Sequence, residues 1–76
     1  MNSFMLLVKE KTVYVHLYEI LKNGKLVITN SLGNKVLRKK ITDSFYEVIT
    51  LEQPAGKYWI KIDSDEIKSK KSFHLM

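Results

Sequence analysis

The sequence contains 76 residues, of which 45% are hydrophobic and 28% are charged, and its formal net charge is +5. A chain of this length has room for one domain with a single core, which leaves little surface for a deep catalytic cleft. It has no cysteine, which excludes a disulfide framework and a thiolate zinc site. The apolar run at its start ends at Lys9, so we expect neither a signal peptide nor a membrane span within the chain.

Seven segments show the residue patterns of β-strands, and residues typical of turns separate them. In chain order they are residues 4–8, 12–18, 25–30, 35–41, 46–51, 57–63 and 68–75. The segment 12–18 is the most regular, because Val13, Val15 and Leu17 alternate with polar or aromatic residues. No segment requires a helix. This number and spacing predict a single all-β domain over residues 1–76, either a sandwich or a barrel.

Two of the intervening segments carry specific turn signals. Gly33 follows Ser31 and Leu32 and is suited to a turn position with a positive φ. Asn23-Gly24 is a pair preferred in two-residue β-hairpins, which would place the strands before and after it side by side in one sheet.

The segment from Leu51 to Tyr58 predicts a tyrosine corner. Leu51 ends one strand, a loop containing Pro54 and Gly56 follows, and Tyr58 opens the next strand. In Greek-key sandwiches a tyrosine at such a place bonds back to the loop backbone and ties the sheets together. We therefore assign Tyr58 a structural role.

The predicted sandwich resembles a known family of domains. The resemblance lies in three segments: Val-Tyr-Val-His-Leu at 13–17, Leu-Val-Ile-Thr-Asn-Ser-Leu-Gly-Asn-Lys-Val at 26–36 and Pro-Ala-Gly-Lys-Tyr-Trp-Ile-Lys-Ile at 54–62. They resemble the small secreted domains of unknown function of gut Bacteroidetes, and are similar to the C-terminal sorting domains of the type IX secretion system. The resemblance implies an immunoglobulin-like or fibronectin-III-like β-sandwich, a periplasmic or secreted location and no catalytic residues. In that strand order the connection at Asn23-Gly24 crosses between sheets, so a tight hairpin and a sheet-crossing connection both stay open.

The alternating patterns also predict the core of the sandwich. Its expected members are Val13, Val15, Leu17, Leu26, Ile28, Ile49, Leu51, Tyr58, Ile60, Ile62 and Phe73.

The basic residues form two groups in the sequence. The first contains Lys35, Arg38, Lys39 and Lys40, and the second contains Lys68, Lys70 and Lys71. Such groups attract nucleic acid or an anionic surface, but lysines on strand faces and edges also keep β-domains soluble. The groups lack the interleaved aromatic residues on which single-stranded nucleic acids stack, so we do not expect a nucleic-acid partner.

No motif in the sequence indicates catalysis, a cofactor or a metal ion. His16 and His74 lie far apart along the chain, and neither a nucleophile elbow nor a phosphate-binding loop is present. The acidic group Asp63, Asp65 and Glu66 lacks the glycine and distal glutamate of a calcium loop, so an acidic turn explains it better. We therefore expect a protein that is not an enzyme.

The aromatic residues provide the candidate binding surface. If Val13 and Val15 point inward, residues 14, 16 and 18 point outward, because side chains alternate along a strand. Exposed tyrosines can simply stabilise a sheet by cross-strand pairing, or they can anchor a partner. The candidate partner-binding residues are Tyr14, His16, Tyr18, Tyr46 and Trp59, with Trp59 expected on the other sheet.

These observations leave three functional hypotheses. The first is an exported binding or accessory module of the bacterial cell envelope, whose partner is a protein, a glycan or a second copy of the chain. The second is a small basic barrel of the SH3 or Sm type that binds nucleic acid. The third is a structural module that assembles through its edge strands.

Overall fold

The computed structural model describes residues 4–65 and 67–76, which form five antiparallel β-strands. The strands are β1 (Phe4–Lys9), β2 (Thr12–Asn30), β3 (Lys35–Thr50), β4 (Gly56–Ser64) and β5 (Lys68–Leu75). The prediction of an all-β chain is confirmed. Over the described residues we find no helix, and hence none with the length and apolar character needed to span a membrane.

The predicted count of seven strands is wrong, because β2 and β3 each contain two of the predicted segments. A straight strand of 19 residues would extend over about 60 Å. The molecule measures only 31 Å along its longest axis, so β2 must bend. The predicted breaks at 19–24 and 42–45 are therefore places where a strand passes from one layer of the sandwich into the other.

The bend divides the hydrogen-bonded sheet into two layers. The three-strand layer contains β1, residues 12–17 of β2 and residues 46–50 of β3. The four-strand layer contains β4, β5, residues 23–30 of β2 and residues 35–42 of β3. In both layers β2 lies between other strands, whereas β3 pairs with β2 alone and forms an edge.

The bend itself lies at matching places in β2 and β3. His16 pairs with Tyr46 and Leu21 pairs with Ser44, so four residues of β2 oppose a single residue of β3. Asp43 has a positive φ of 48°, a conformation that Asp tolerates better than most residues. The Ser44 hydroxyl bonds the backbone of Tyr46, accepting from its N–H at 3.3 Å. A bulge and local side-chain bonds thus turn the strand without ending it.

Of the two alternatives left open at Asn23-Gly24, the tight hairpin is not formed, because β2 continues through both residues, and Gly24 pairs with β3 on one side and β4 on the other. Gly24 is needed here for space. A Cβ atom at this position would lie 2.8 Å from Leu21 Cδ2 and 3.3 Å from the carbonyl oxygen of Asp63. The connection is therefore the sheet-crossing alternative. By contrast, Gly33 has the predicted positive φ, at 88°, in the turn between β2 and β3.

One hydrophobic core lies between the layers. Each residue of the predicted core is buried. The sequence patterns did not identify Phe4, Leu21, Ile41, Ile67 and Leu75, which are also buried. Leu21 and Ile41 were missed because they lie beside predicted turns that are in fact parts of continuous strands.

The predicted tyrosine corner is confirmed. The Tyr58 hydroxyl donates a hydrogen bond of 2.7 Å to the carbonyl oxygen of Pro54, and the ring is buried against Phe73. The same loop bonds to the turn between β1 and β2, since Lys11 Nζ donates to the Gln53 carbonyl oxygen at 2.7 Å. Loop 51–55 is therefore fixed to the body of the sandwich at two places.

An ion pair spans the open side of the sandwich between the two parts of β3. Lys39 Nζ lies 2.6 Å from Glu47 Oε1, and only 11% of the Glu47 side chain is exposed. Burial raises the pKa of Glu47, but hydrogen bonds from Lys39 and Ser44 and the charge of Lys39 outweigh it. The pKa of Glu47 thus lies below the ordinary value of a glutamate. Inward charges of this kind also discourage another strand from pairing with an edge.

Candidate binding faces

The outer surface of the three-strand layer carries a compact set of apolar and aromatic side chains. Cross-strand pairing places Met5, His16 and Tyr46 in one row and Leu7, Tyr14 and Val48 in the next. Tyr18 and Phe45 continue the set toward the bend. We call these residues the aromatic face; its members are Met5, Leu7, Tyr14, His16, Tyr18, Phe45, Tyr46 and Val48.

His16 lies at the centre of the aromatic face. Its ring centroid is 5.9 Å from that of Tyr46, 6.1 Å from that of Tyr18 and 6.2 Å from that of Phe45. These separations are typical of favourable ring pairs. The rings of the aromatic face are therefore already grouped before a partner binds, which lowers the ordering that binding requires.

Large parts of these side chains are exposed to water. Leu7 is 64% exposed, Tyr18 67% and Phe45 53%, and a depression of about 190 Å³ lies between β1 and His16. The two rows contain no Asp, Glu, Lys or Arg; the nearest paired row, with Lys9, Thr12 and Thr50, is polar. An uncharged apolar area bordered by polar residues is typical of an interaction surface.

Four of the five predicted site residues lie together on the aromatic face, and Trp59 does not. Trp59 lies on β4, on the outer surface of the four-strand layer, on the opposite side of the molecule from Tyr14 and His16. Sequence reasoning missed Met5, Leu7, Phe45 and Val48. The first two lie in a uniformly apolar segment whose outward positions cannot be recognised without the pairing register.

Trp59 lies among cations. Lys57 Nζ is 4.8 Å from the centre of its ring system and Lys70 Nζ is 5.0 Å from it. Across the strands, Thr29 and Ser72 pair with Trp59 and place hydroxyl groups in the same row. The half-buried indole therefore has hydroxyl groups and ammonium groups as its immediate neighbours.

Basic side chains cover the rest of this surface. The strand register places eight cationic residues on it: Lys25, Lys35, Arg38, Lys40, Lys57, Lys61, Lys68 and Lys70. We call these eight residues together with Trp59 the basic face. Asp63 is the one carboxylate at an outward strand position there. In the described part of the chain none of the eight cations forms a salt bridge. A cleft of about 280 Å³ beside Trp59 is lined by Lys35, Lys61 and Lys70.

The sequence grouping of basic residues differs from their grouping in space. Lys39 points inward to Glu47, and Lys71 lies 5.4 Å from the ring centre of Phe4, so neither belongs to the basic face. Lys25, Lys57 and Lys61 join it from strands outside the two groups. The two basic groups contain no aromatic residue in the sequence, but in space Lys70 of the second group lies beside Trp59, 5.0 Å from its ring centre.

The histidines and carboxylates are dispersed over the described residues. His16 lies on the three-strand layer and His74 on β5 of the four-strand layer. Asp63 pairs with Lys25 and Lys68, and Glu66 lies outside the described residues. Across residues 4–65 and 67–76, no three side chains of the types that ligate metals come together.

The two layers, the strands that cross between them and the tyrosine corner define an immunoglobulin-like β-sandwich. The fold is similar to the crystal structure of a DUF3244 family protein with an immunoglobulin-like β-sandwich from Bacteroides vulgatus ATCC 8482, with a TM-score of 0.83. The match covers 96% of this chain and 84% of that chain, at 17% sequence identity, a level at which the likeness concerns the fold. No family model and no curated protein matches the sequence. The fold excludes the SH3- or Sm-type barrel of the second hypothesis.

Proposed function

We propose that this chain is an exported, non-enzymatic binding or accessory module of the cell envelope of a Bacteroidetes-type bacterium, and that it assembles through the aromatic face. The observation that carries the proposal is the uncharged apolar surface around His16. Export is supported by the sequence resemblance to secreted and type IX sorting domains.

The composition of the aromatic face favours a protein surface as its occupant. Met5, Leu7 and Val48 stand between the rings, where sugar-binding sites need amide or carboxylate groups for the hydroxyls. Met and Tyr are enriched in the centres of protein interfaces, and charged residues are depleted there. The aromatic face has both of these properties.

The distribution of charge points to a second copy of the chain as that protein surface. The eight cations of the basic face lie on the opposite layer, so two copies that meet through their aromatic faces keep the basic faces outward and far apart. A twofold contact through the basic faces would instead bring like charges together. A twofold dimer through the aromatic face therefore avoids the repulsion between the basic faces.

Sedimentation velocity over a range of concentrations tests this assembly. We expect the parent chain to dimerise and Leu7→Ser with Tyr46→Ser to raise the dissociation constant by about tenfold or more, because central apolar contacts carry most interface energy. Leu32→Ser is the matched control, since Leu32 is 84% exposed in the turn before β3 and should leave the equilibrium unchanged.

A parent chain that remains monomeric throughout would overturn the second copy as the occupant. If a purified envelope protein then bound the parent chain but not the Leu7→Ser and Tyr46→Ser variant, the aromatic face would be a site for a different protein. Binding of a neutral glycan that the same substitutions abolish would make it a sugar site.

A further inference from the structure

The structure points to a second binding surface, on the opposite side of the molecule from the aromatic face: we propose that the basic face binds an anionic polysaccharide, with Trp59 stacking on a sugar ring. This inference goes beyond the proposed assembly and does not depend on it. The two surfaces belong to different layers and share no residue.

The charge of the basic face favours an anionic partner. Among the outward strand positions that the structure describes, eight cations stand against one carboxylate, and they produce a positive field over one side of a small domain. Because these cations have no salt-bridge partner among the described residues, an anion that binds here does not have to displace a protein carboxylate. By contrast, Lys39, which lies outside the face, is already neutralised by Glu47.

The arrangement around Trp59 suits a sugar that carries a carboxylate or sulfate group. A flat indole packs against the C–H groups of a pyranose ring, as aromatic side chains do with apolar surfaces in general. The ammonium groups of Lys57 and Lys70, within about 5 Å of the ring centre, would meet the anionic substituent. The hydroxyls of Thr29 and Ser72 lie in the same cross-strand row and can bond the sugar hydroxyls.

Two features favour a polysaccharide over a nucleic acid. Single-stranded nucleic acids stack successive bases on several aromatic side chains, whereas Trp59 is the one aromatic residue at the outward strand positions described on this face, apart from the imidazole of His74 at its end. In addition, seven of the eight cations are lysines, while bidentate recognition of phosphate favours arginine. Lysines spread over four strands instead match single anionic groups distributed along a polymer.

Trp59 is the single tryptophan of the chain, so its fluorescence reports binding at this face alone. The probes are polygalacturonate, which carries carboxylates, heparin, which carries sulfates, neutral dextran and single-stranded oligo-dT. We expect at least one anionic polysaccharide to change the emission and dextran to have no effect. Added salt should weaken the binding, because exposed charges are screened. A preference between the first two probes identifies the anionic group.

Two pairs of variants with equal charge separate a site from a general effect of net charge. Lys57→Gln with Lys70→Gln removes the two cations within about 5 Å of the Trp59 ring centre and should weaken polysaccharide binding by about tenfold or more, measured by affinity electrophoresis. Lys9→Gln with Lys22→Gln removes two exposed cations outside the basic face and should weaken it by less than about twofold. Circular dichroism should show an unchanged fold in both pairs, because the substituted side chains are exposed.

Trp59→Ala tests the contribution of stacking and should abolish retardation by the polysaccharide. Equal weakening by the two lysine pairs, or full retention of binding by Trp59→Ala, would overturn the proposed site. Tighter binding of oligo-dT than of both anionic polysaccharides would make the basic face a nucleic-acid surface, and binding of none of the probes would also refute the proposal.

Discussion

Tyr58 has a structural role that can be measured in a single substitution. Tyr58→Phe keeps the buried ring and removes the hydrogen bond to the Pro54 carbonyl oxygen. We expect urea denaturation to show a loss of about 0.5–1.5 kcal/mol, the usual net value of one hydrogen bond. Tyr18→Phe is the control, because Tyr18 is 67% exposed, and it should change stability by less than about 0.5 kcal/mol. Equal effects of the two substitutions would contradict the tyrosine corner.

Glu47 makes the stability of the sandwich depend on pH at the acidic end. Because its pKa is lower in the folded chain than in the unfolded one, its contribution is complete above the unfolded-state pKa of about 4.3. The contribution is lost as the pH falls through the folded-state pKa. Lys39 is 44% exposed, so solvent screens the pair and limits its contribution to under about 1 kcal/mol.

The comparison of the parent chain with Glu47→Gln by urea denaturation measures this contribution. The parent should be more stable at neutral pH, and the difference should shrink toward zero in acid. Glu52→Gln, at an exposed position in loop 51–55, is the control and should show little difference at either pH. A difference for Glu47→Gln that does not change with pH would exclude the ion pair as its cause.

At the level of the strand, Gly24 shows how β2 passes from one layer to the other. Alanine normally strengthens a strand relative to glycine, so an open site would gain stability from Gly24→Ala. We expect instead a loss of about 1–3 kcal/mol, since the new methyl group meets Leu21 and the Asp63 backbone. Thermal unfolding measures it, with Asn23→Ala at the exposed neighbouring position as the control. A more stable Gly24→Ala chain would show that the crossing does not need a glycine.

The alternation of apolar residues predicted which positions face the core, but it could not show where a strand ends. Val13, Val15 and Leu17 follow a strict period of two, and all are buried as predicted. Asn23-Gly24 is chemically suited to a hairpin, and only contacts between residues distant in the sequence, such as Leu21 with Ser44, make it part of a crossing strand. Turn-forming residues therefore predict that the chain changes direction, but they do not show whether it reverses in a hairpin or bends within one strand.

Over the whole molecule, the sequence predicted the aromatic face more completely than the basic one. The outward positions of Tyr14, His16 and Tyr18 follow from one strand alone. The basic face instead draws its cations from four strand segments, and Lys25 and Lys61 lie more than 30 residues apart in the sequence. Its recognition requires the register between strands, which composition and spacing do not contain.

The central position of β2 in both layers also governs how the molecule can unfold. Residues 12–16 and 24–29 of β2 have strand neighbours on both sides. Because β2 is the central strand of both layers, pulling the strands of one layer apart also disturbs the other layer. Most of these contacts join residues distant in the chain, which slows folding because long loops must close first. The sandwich thus forms one cooperative unit that folds slowly and opens as a whole, and we expect partial opening at the edge strands β1, β3 and β5, each of which pairs with a single neighbour.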